Sequence, residues 1–149
     1  MISMIVVAVD GSEASDAAVK QAVDLARQRQ SALAGFFILD GGWPDYIGND
    51  WQSTVSSRQG FLDYIREEQE AQAQAARLQF ESAADGLPDA HFKVLGGDPI
   101  KLLTQLACAP DTSLFITSKR VFQVSGRPSL KSLAKTLAQK STQPILLLP

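Results

Sequence analysis

Apolar residues in this chain come in runs, and polar residues come in longer blocks between them. Ile2 to Val9 is almost continuously apolar and rich in Ile and Val, and Ala32 to Leu39 repeats the pattern. Ser113 to Ile116 and Pro144 to Leu148 are shorter versions, while Ala90 to Leu95 alternates. Continuous apolar runs are expected of strands buried on both faces, as in a parallel sheet covered by helices.

The intervening blocks predict helices. Asp10-Gly11-Ser12 breaks the first run, and Ser12 or Ser15 then caps a helix reaching about Gln30, with Glu13 and Asp16 near its positive end. Ala18, Ala22, Val23 and Ala26 form its inner stripe. Ser57 to Asp85 is rich in Ala, Gln, Glu and Arg, a strong helix-forming composition. Phe61, Leu62, Ile65, Ala76, Phe80 and Ala83 are its expected inner side, with Glu67, Glu68 and Glu70 solvated, and Gly86-Leu87-Pro88 ends it. Asp98 caps a third helix with Pro99 at its first position, and Leu130 to about Ser141 is the last helix.

Strict alternation of strand and helix predicts an α/β fold: one doubly wound, Rossmann-like, five-stranded parallel sheet with helices on both faces and right-handed crossovers. The expected strand order is 3-2-1-4-5. Ligands in such folds bind outside the carboxyl ends of the strands, where the strand order switches. Asp10, ending the first strand, and the stretch from Ile116 to Leu133, leaving the fourth, would meet there. That stretch carries Lys119, Arg120, Arg127 and Lys131 but one glycine, Gly126. The long connection from Asp40 to about Ser57 contains both tryptophans, Trp43 and Trp51, and is expected to be a lid, an interface or a mobile loop, with packing on its own domain the default for Trp.

Composition narrows this picture. The 149 residues suit a single domain, 1–149, and 45% hydrophobic with 20% charged residues is ordinary for a globular protein. Net charge is −2, but all 16 acidic residues precede Thr112, where they meet eight basic ones. The last 38 residues hold six basic residues and no acid, so charge runs from −8 to +6 along the chain. Such asymmetry marks an anion site or, more ordinarily, solvated lysines. A lone cysteine, Cys108, excludes an intrachain disulfide and a Cys metal cluster, and is expected as a buried thiol. The lone His91 has no partner for metal or catalytic chemistry. No leader or membrane span is evident, so a cytoplasmic protein is expected. Nucleic acid is not an expected partner, since basic residues without a recognisable module are weak grounds.

The chain resembles the universal stress protein family over almost its whole length. Ile5-Val6-Val7-Ala8-Val9-Asp10-Gly11-Ser12 with Ala17 and Ala18, then Gly97-Asp98-Pro99, then Leu114-Phe115-Ile116 to Pro144-Ile145-Leu146-Leu147-Leu148 carry the resemblance by their order and spacing. Binding members of that family hold ATP with Gly-x2-Gly-x9-Gly-Ser/Thr after the fourth strand. Here those glycines fall on Thr117, Arg120 and Leu130 or Lys131, and all are missing. Two hydroxyl positions survive, Ser118 and Ser132; Asp10 matches the acid that faces the nucleoside, and Ile38 falls where the second strand passes the adenine. A Cβ at these places resists positive φ and blocks phosphate from the backbone, and Pro128 removes an N–H.

The resemblance thus implies a stress-response module with no bound cofactor, acting through protein contacts and dimerising through the last strand, Pro144 to Leu148. The alternative is ATP, another nucleotide or a small anion held by Lys119, Arg120, Arg127 and Lys131 side chains in place of glycine amides. An enzyme is not expected: no metal cluster, no Ser/His/Asp set and no nucleophile–base pair stands out.

Overall fold

The computed structural model describes residues 3–48, 55–122 and 133–149, with 55 and 56 described by their backbone alone. In chain order the elements are β1 (Met4–Ala8), α1 (Glu13–Arg29), β2 (Ala32–Asp40), α2 (Trp43–Ile47), α3 (Val55–Ala83), β3 (Ala90–Gly97), α4 (Pro99–Cys108), β4 (Thr112–Ser118), α5 (Leu133–Lys140) and β5 (Ile145–Leu148). The five strands form one sheet in the expected order, β3-β2-β1-β4-β5, and every pairing is parallel.

β1 lies at the centre, and Ile5, Val6, Val7 and Ala8 are all fully buried. That double-sided burial is what the continuous apolar run required. α1 and α3 pack against each other and against the sheet, and α4 pairs with α5. Ala18, Ala22, Val23 and Ala26 of α1 are buried as the stripe predicted, joined by Ser15 and Val19. On β2, Gly35 permits close approach of α3: a Cβ there would sit 2.6 Å from the Phe80 ring.

Several boundaries differ from the sequence reading. β4 continues through Thr117 and Ser118, which pair with Leu147 and Leu148 and are fully buried, so the connection to α5 starts later than expected. Pairing with β5 gives these polar residues backbone partners that their side chains did not advertise. β3 likewise runs through Gly96 and Gly97, which pair with Leu39 and Asp40. The connection after β2 contains α2, with Pro44 in its first turn. Trp43 packs edge-on to Tyr46 and Phe61, the own-domain packing taken as the default; Trp51 lies outside the described residues.

α3 has 29 residues, about 43 Å at 1.5 Å per residue, while the nine residues of β2 span about 30 Å. The helix therefore overhangs the strand ends. That is why Ala76 and Phe80 are buried while Phe61, Leu62 and Ile65, expected on the same inner side, are only half-buried. Cys108 is half-buried rather than buried, and its Sγ lies 3.3 Å from the carbonyl of Lys140.

Candidate functional site

The site is built where β1 and β4 end side by side. Ser12 is the N-cap of α1, and its Oγ accepts from the Ser15 N–H at 3.3 Å. Asp10, directly before this cap, is 3% exposed. Its Oδ1 accepts from the Ser12 N–H at 3.0 Å and from the Ser12 hydroxyl. Its Oδ2 accepts from the Phe122 N–H at 2.8 Å, across 112 positions of sequence. One buried carboxylate thus ties the β1–α1 turn to the chain leaving β4.

Gly11 shows how tightly this turn is packed. Its φ is +81°, and a Cβ on it would lie 2.9 Å from that of Ala75 on α3. α3 also joins through Gln79, whose Nε2 donates to the Ser12 carbonyl at 2.9 Å while its Oε1 accepts from the Ser15 hydroxyl. Ser15 Oγ in turn accepts from the Asp10 N–H at 3.3 Å. The polar groups at the end of β1 are therefore engaged with one another.

The turn after β4 completes the arrangement. Val121 and Phe122 are 2% and 6% exposed, and the Phe122 ring meets Phe37 of β2 edge-to-face at 5.7 Å. Phe122 has φ +62°, in the left-handed region that disfavours side chains. The docked ring and the bond to Asp10 hold the residue in that conformation.

The sequence-derived residues separate into three groups. Asp10 and Ile38 do sit at neighbouring strand ends, but both are buried, Ile38 to 2% exposure. Ser118 is fully buried, and its Oγ accepts from the Arg120 N–H at 3.1 Å. Lys119 and Arg120 are exposed in the turn after β4, with the Lys119 N–H on the Leu148 carbonyl at 2.9 Å. Arg127, Lys131 and Ser132 lie outside the described residues. Sequence reasoning missed Ser15, Gln79 and Phe122. Only Ser15 left a signal, as a second possible cap; the partners of Gln79 and Phe122 are 64 to 112 positions away.

His91 is exposed on β3 beside Asp89, at 3.0 Å. Among the described residues no group of three or more His, Cys, Asp or Glu could hold a metal ion. No helix among them is long and apolar enough to cross a membrane.

Solved structures share this fold. UspA of Lactobacillus plantarum, a universal stress protein, superposes with a TM-score of 0.70 at 18% identity, over 100% of this chain and 99% of its own. The universal stress protein of Archaeoglobus fulgidus, in complex with dAMP, gives 0.65 at 19% identity over 100% of both chains. A universal stress protein in complex with cAMP gives 0.61 at 20% identity, over 99% of this chain and 96% of its own. A comparison with curated protein sequences found no significant match. The model of the Universal stress protein family matches residues 1–149, the whole length, in agreement with the sheet order and the β1 turn described above. The chain belongs to the universal stress protein family.

Proposed function

We propose that this universal stress protein does not take ATP as the family's binding members do, that it is not an enzyme, and that it works as a homodimer through contacts with other proteins. The observation that carries this reading is the 2.8 Å bond from the Phe122 N–H to Asp10 Oδ2. The acid matched to the nucleoside-facing position is committed to the chain's own backbone. Freeing it would strand a buried N–H, at a cost of about 1–3 kcal/mol before any ligand is held.

Two structural neighbours were solved with dAMP and cAMP, so the shared architecture accommodates nucleotides. This chain departs from that use by placing side chains where a phosphate cradle needs glycine. Thr117 is fully buried inside β4, and Arg120 carries a Cβ at the next glycine place.

Dimerisation is supported by β5. It is an edge strand of four apolar residues, each half-buried in the single chain. Ile145, Leu146 and Leu148 pack against the core, whereas Leu147 does not. An apolar edge of this kind invites a second strand, and a second copy of the chain supplies one. Leu147→Glu should therefore yield monomers by sedimentation without loss of the fold.

Thermal melting with ATP and Mg²⁺ tests the nucleotide part. Ligand at about 100 times its Kd would add about 2.7 kcal/mol, so an unchanged melting temperature is the expected result and a saturable rise overturns the reading. The exposure of Lys119 and Arg120 favours a second reading, in which cationic side chains hold ATP, another nucleotide or a small anion. That reading requires binding that weakens with salt and is lost when Arg120 and Lys131 are both changed to Glu.

A further inference from the structure

The ends of β2 and β3 frame a separate hollow that includes neither Asp10 nor Ile38. The overhanging part of α3 forms one wall, α2 forms the roof, and Gly41, Gly96 and Gly97 leave the floor without side chains. The cleft measures about 670 Å³, inside the roughly 300–1,000 Å³ of small-molecule sites. A Cβ on Gly96 would meet nothing within 4 Å, so packing does not demand glycine there, and its bare backbone keeps the floor open. Arg58 fixes the roof to the wall: its Nε donates to the Gly48 carbonyl at 2.9 Å and its Nη2 to that of Pro44 at 3.2 Å.

Among the described residues, four side chains lining the cleft keep polar atoms without a partner: Trp43, whose Nε1 is buried and unpaired, and Gln69, Arg66 and Glu70 on α3. Gln69, only 9% exposed, donates its Nε2 to the Asp40 carbonyl at 3.3 Å. That bond fixes the amide's orientation, and no donor among the described residues reaches its Oε1. Arg66 and Glu70 sit one turn apart on α3, both exposed, and neither forms an ion pair with the other or with any described residue. Beside them Leu39, Leu62 and Ile65 give an apolar wall.

Of the four charged residues lining the cleft, Asp40 accepts from the Gly42 N–H at 2.9 Å and Arg58 is tied to the roof carbonyls, so Arg66 and Glu70 select the ligand. A simple anion drawn to Arg66 would meet Glu70, and a simple cation drawn to Glu70 would meet Arg66. Side chains four apart on a helix have Cβ atoms about 5–6 Å from each other, a spacing whose flexible ends converge on the two close charges of one small zwitterion. We propose that this cleft binds an apolar α-amino acid. Its carboxylate pairs with the Arg66 guanidinium, its ammonium donates to Glu70 and to Gln69 Oε1, and its side chain lies against Leu39, Leu62 and Ile65.

The test uses the full chain labelled with ¹⁵N. The indole N–H signal of Trp43, which lines the cleft, is assigned by its loss in Trp43→Phe and followed during titration with L-phenylalanine. Two singly charged probes, 3-phenylpropanoate and 2-phenylethylamine, are titrated in parallel. The expected result is a saturable shift with L-phenylalanine. Binding should weaken about tenfold or more for either analogue, and likewise in Arg66→Gln and in Glu70→Gln, since each loses a charge-assisted hydrogen bond. Both substituted residues are exposed, so the variants should melt like the parent chain. No saturable shift overturns the proposal, as does equal affinity for the three probes or undiminished binding in both variants. Tight 3-phenylpropanoate binding lost only in Arg66→Gln would show an anion site instead, and would also overturn it. ATP plays no part in this titration, so its outcome is independent of the nucleotide reading above.

Discussion

The two strand-end regions of this molecule make a contrast. At β1 and β4 the polar groups are turned on one another: Asp10 on Ser12 and Phe122, Gln79 on Ser12 and Ser15. At β2 and β3, a cleft is lined by Gln69, Arg66 and Glu70, whose free atoms meet no partner among the described residues. Both regions occupy the end of the sheet where α/β folds bind ligands. The difference teaches that position in a fold makes a site available, whereas unengaged polar groups make it usable. Residues of the first region should therefore matter to stability, and those of the second should not.

Phe122 should show the largest effect. Phe122→Ala removes a ring that is 6% exposed and packed on Phe37, and should cost about 3–5 kcal/mol in urea denaturation. Phe122→Gly should be no worse than Ala although it is smaller, because glycine relieves a φ of +62° that costs other residues about 1–2 kcal/mol. Asp10→Ala comes next, at about 2–3 kcal/mol, chiefly from the stranded Phe122 N–H. Ser12→Ala should cost about 1 kcal/mol through loss of the α1 cap. Arg66→Gln and Glu70→Gln should stay within about 0.5 kcal/mol of the parent, and a larger loss would break the comparison.

The smallest expected effect is at Lys20, whose exposed ammonium lies 2.8 Å from Asp16. Its hydrogen bond to Asp16, and then the charge attraction, raise its pKa above 10.5. A cation with a raised folded-state pKa stabilises fully below its unfolded value and loses that contribution as pH climbs through the folded one. The difference between Lys20→Met and the parent should thus be flat near neutral pH and shrink above 10.5.

What the sequence disclosed follows from which interactions are local. The sheet order rests on the β1 and β2 runs and the alternation of elements, and the α1 cap on Ser12, all readable over a few positions. Asp98 before Pro99 was equally legible: its Oδ1 accepts from the Ile100 N–H at 3.3 Å. Thr117 and Ser118 misled because their strand character comes from pairing with Leu147 and Leu148, not from their own side chains. Asp10 was readable as a site position, but its engagement was not, since Phe122 reaches it across the whole domain. The α2–α3 cleft left no signature because it arises from the overhang of a long helix, a property of packing rather than of any motif.

The most direct test of the contrast is the backbone amide of Phe122, observed by ¹H–¹⁵N NMR during titration with ATP and Mg²⁺. With Asp10 committed to that amide, its signal should neither shift nor lose protection from solvent exchange up to saturating nucleotide. A saturable shift with faster exchange would mean that nucleotide releases the carboxylate, and would contradict the claim that this end of the sheet is closed by the chain itself.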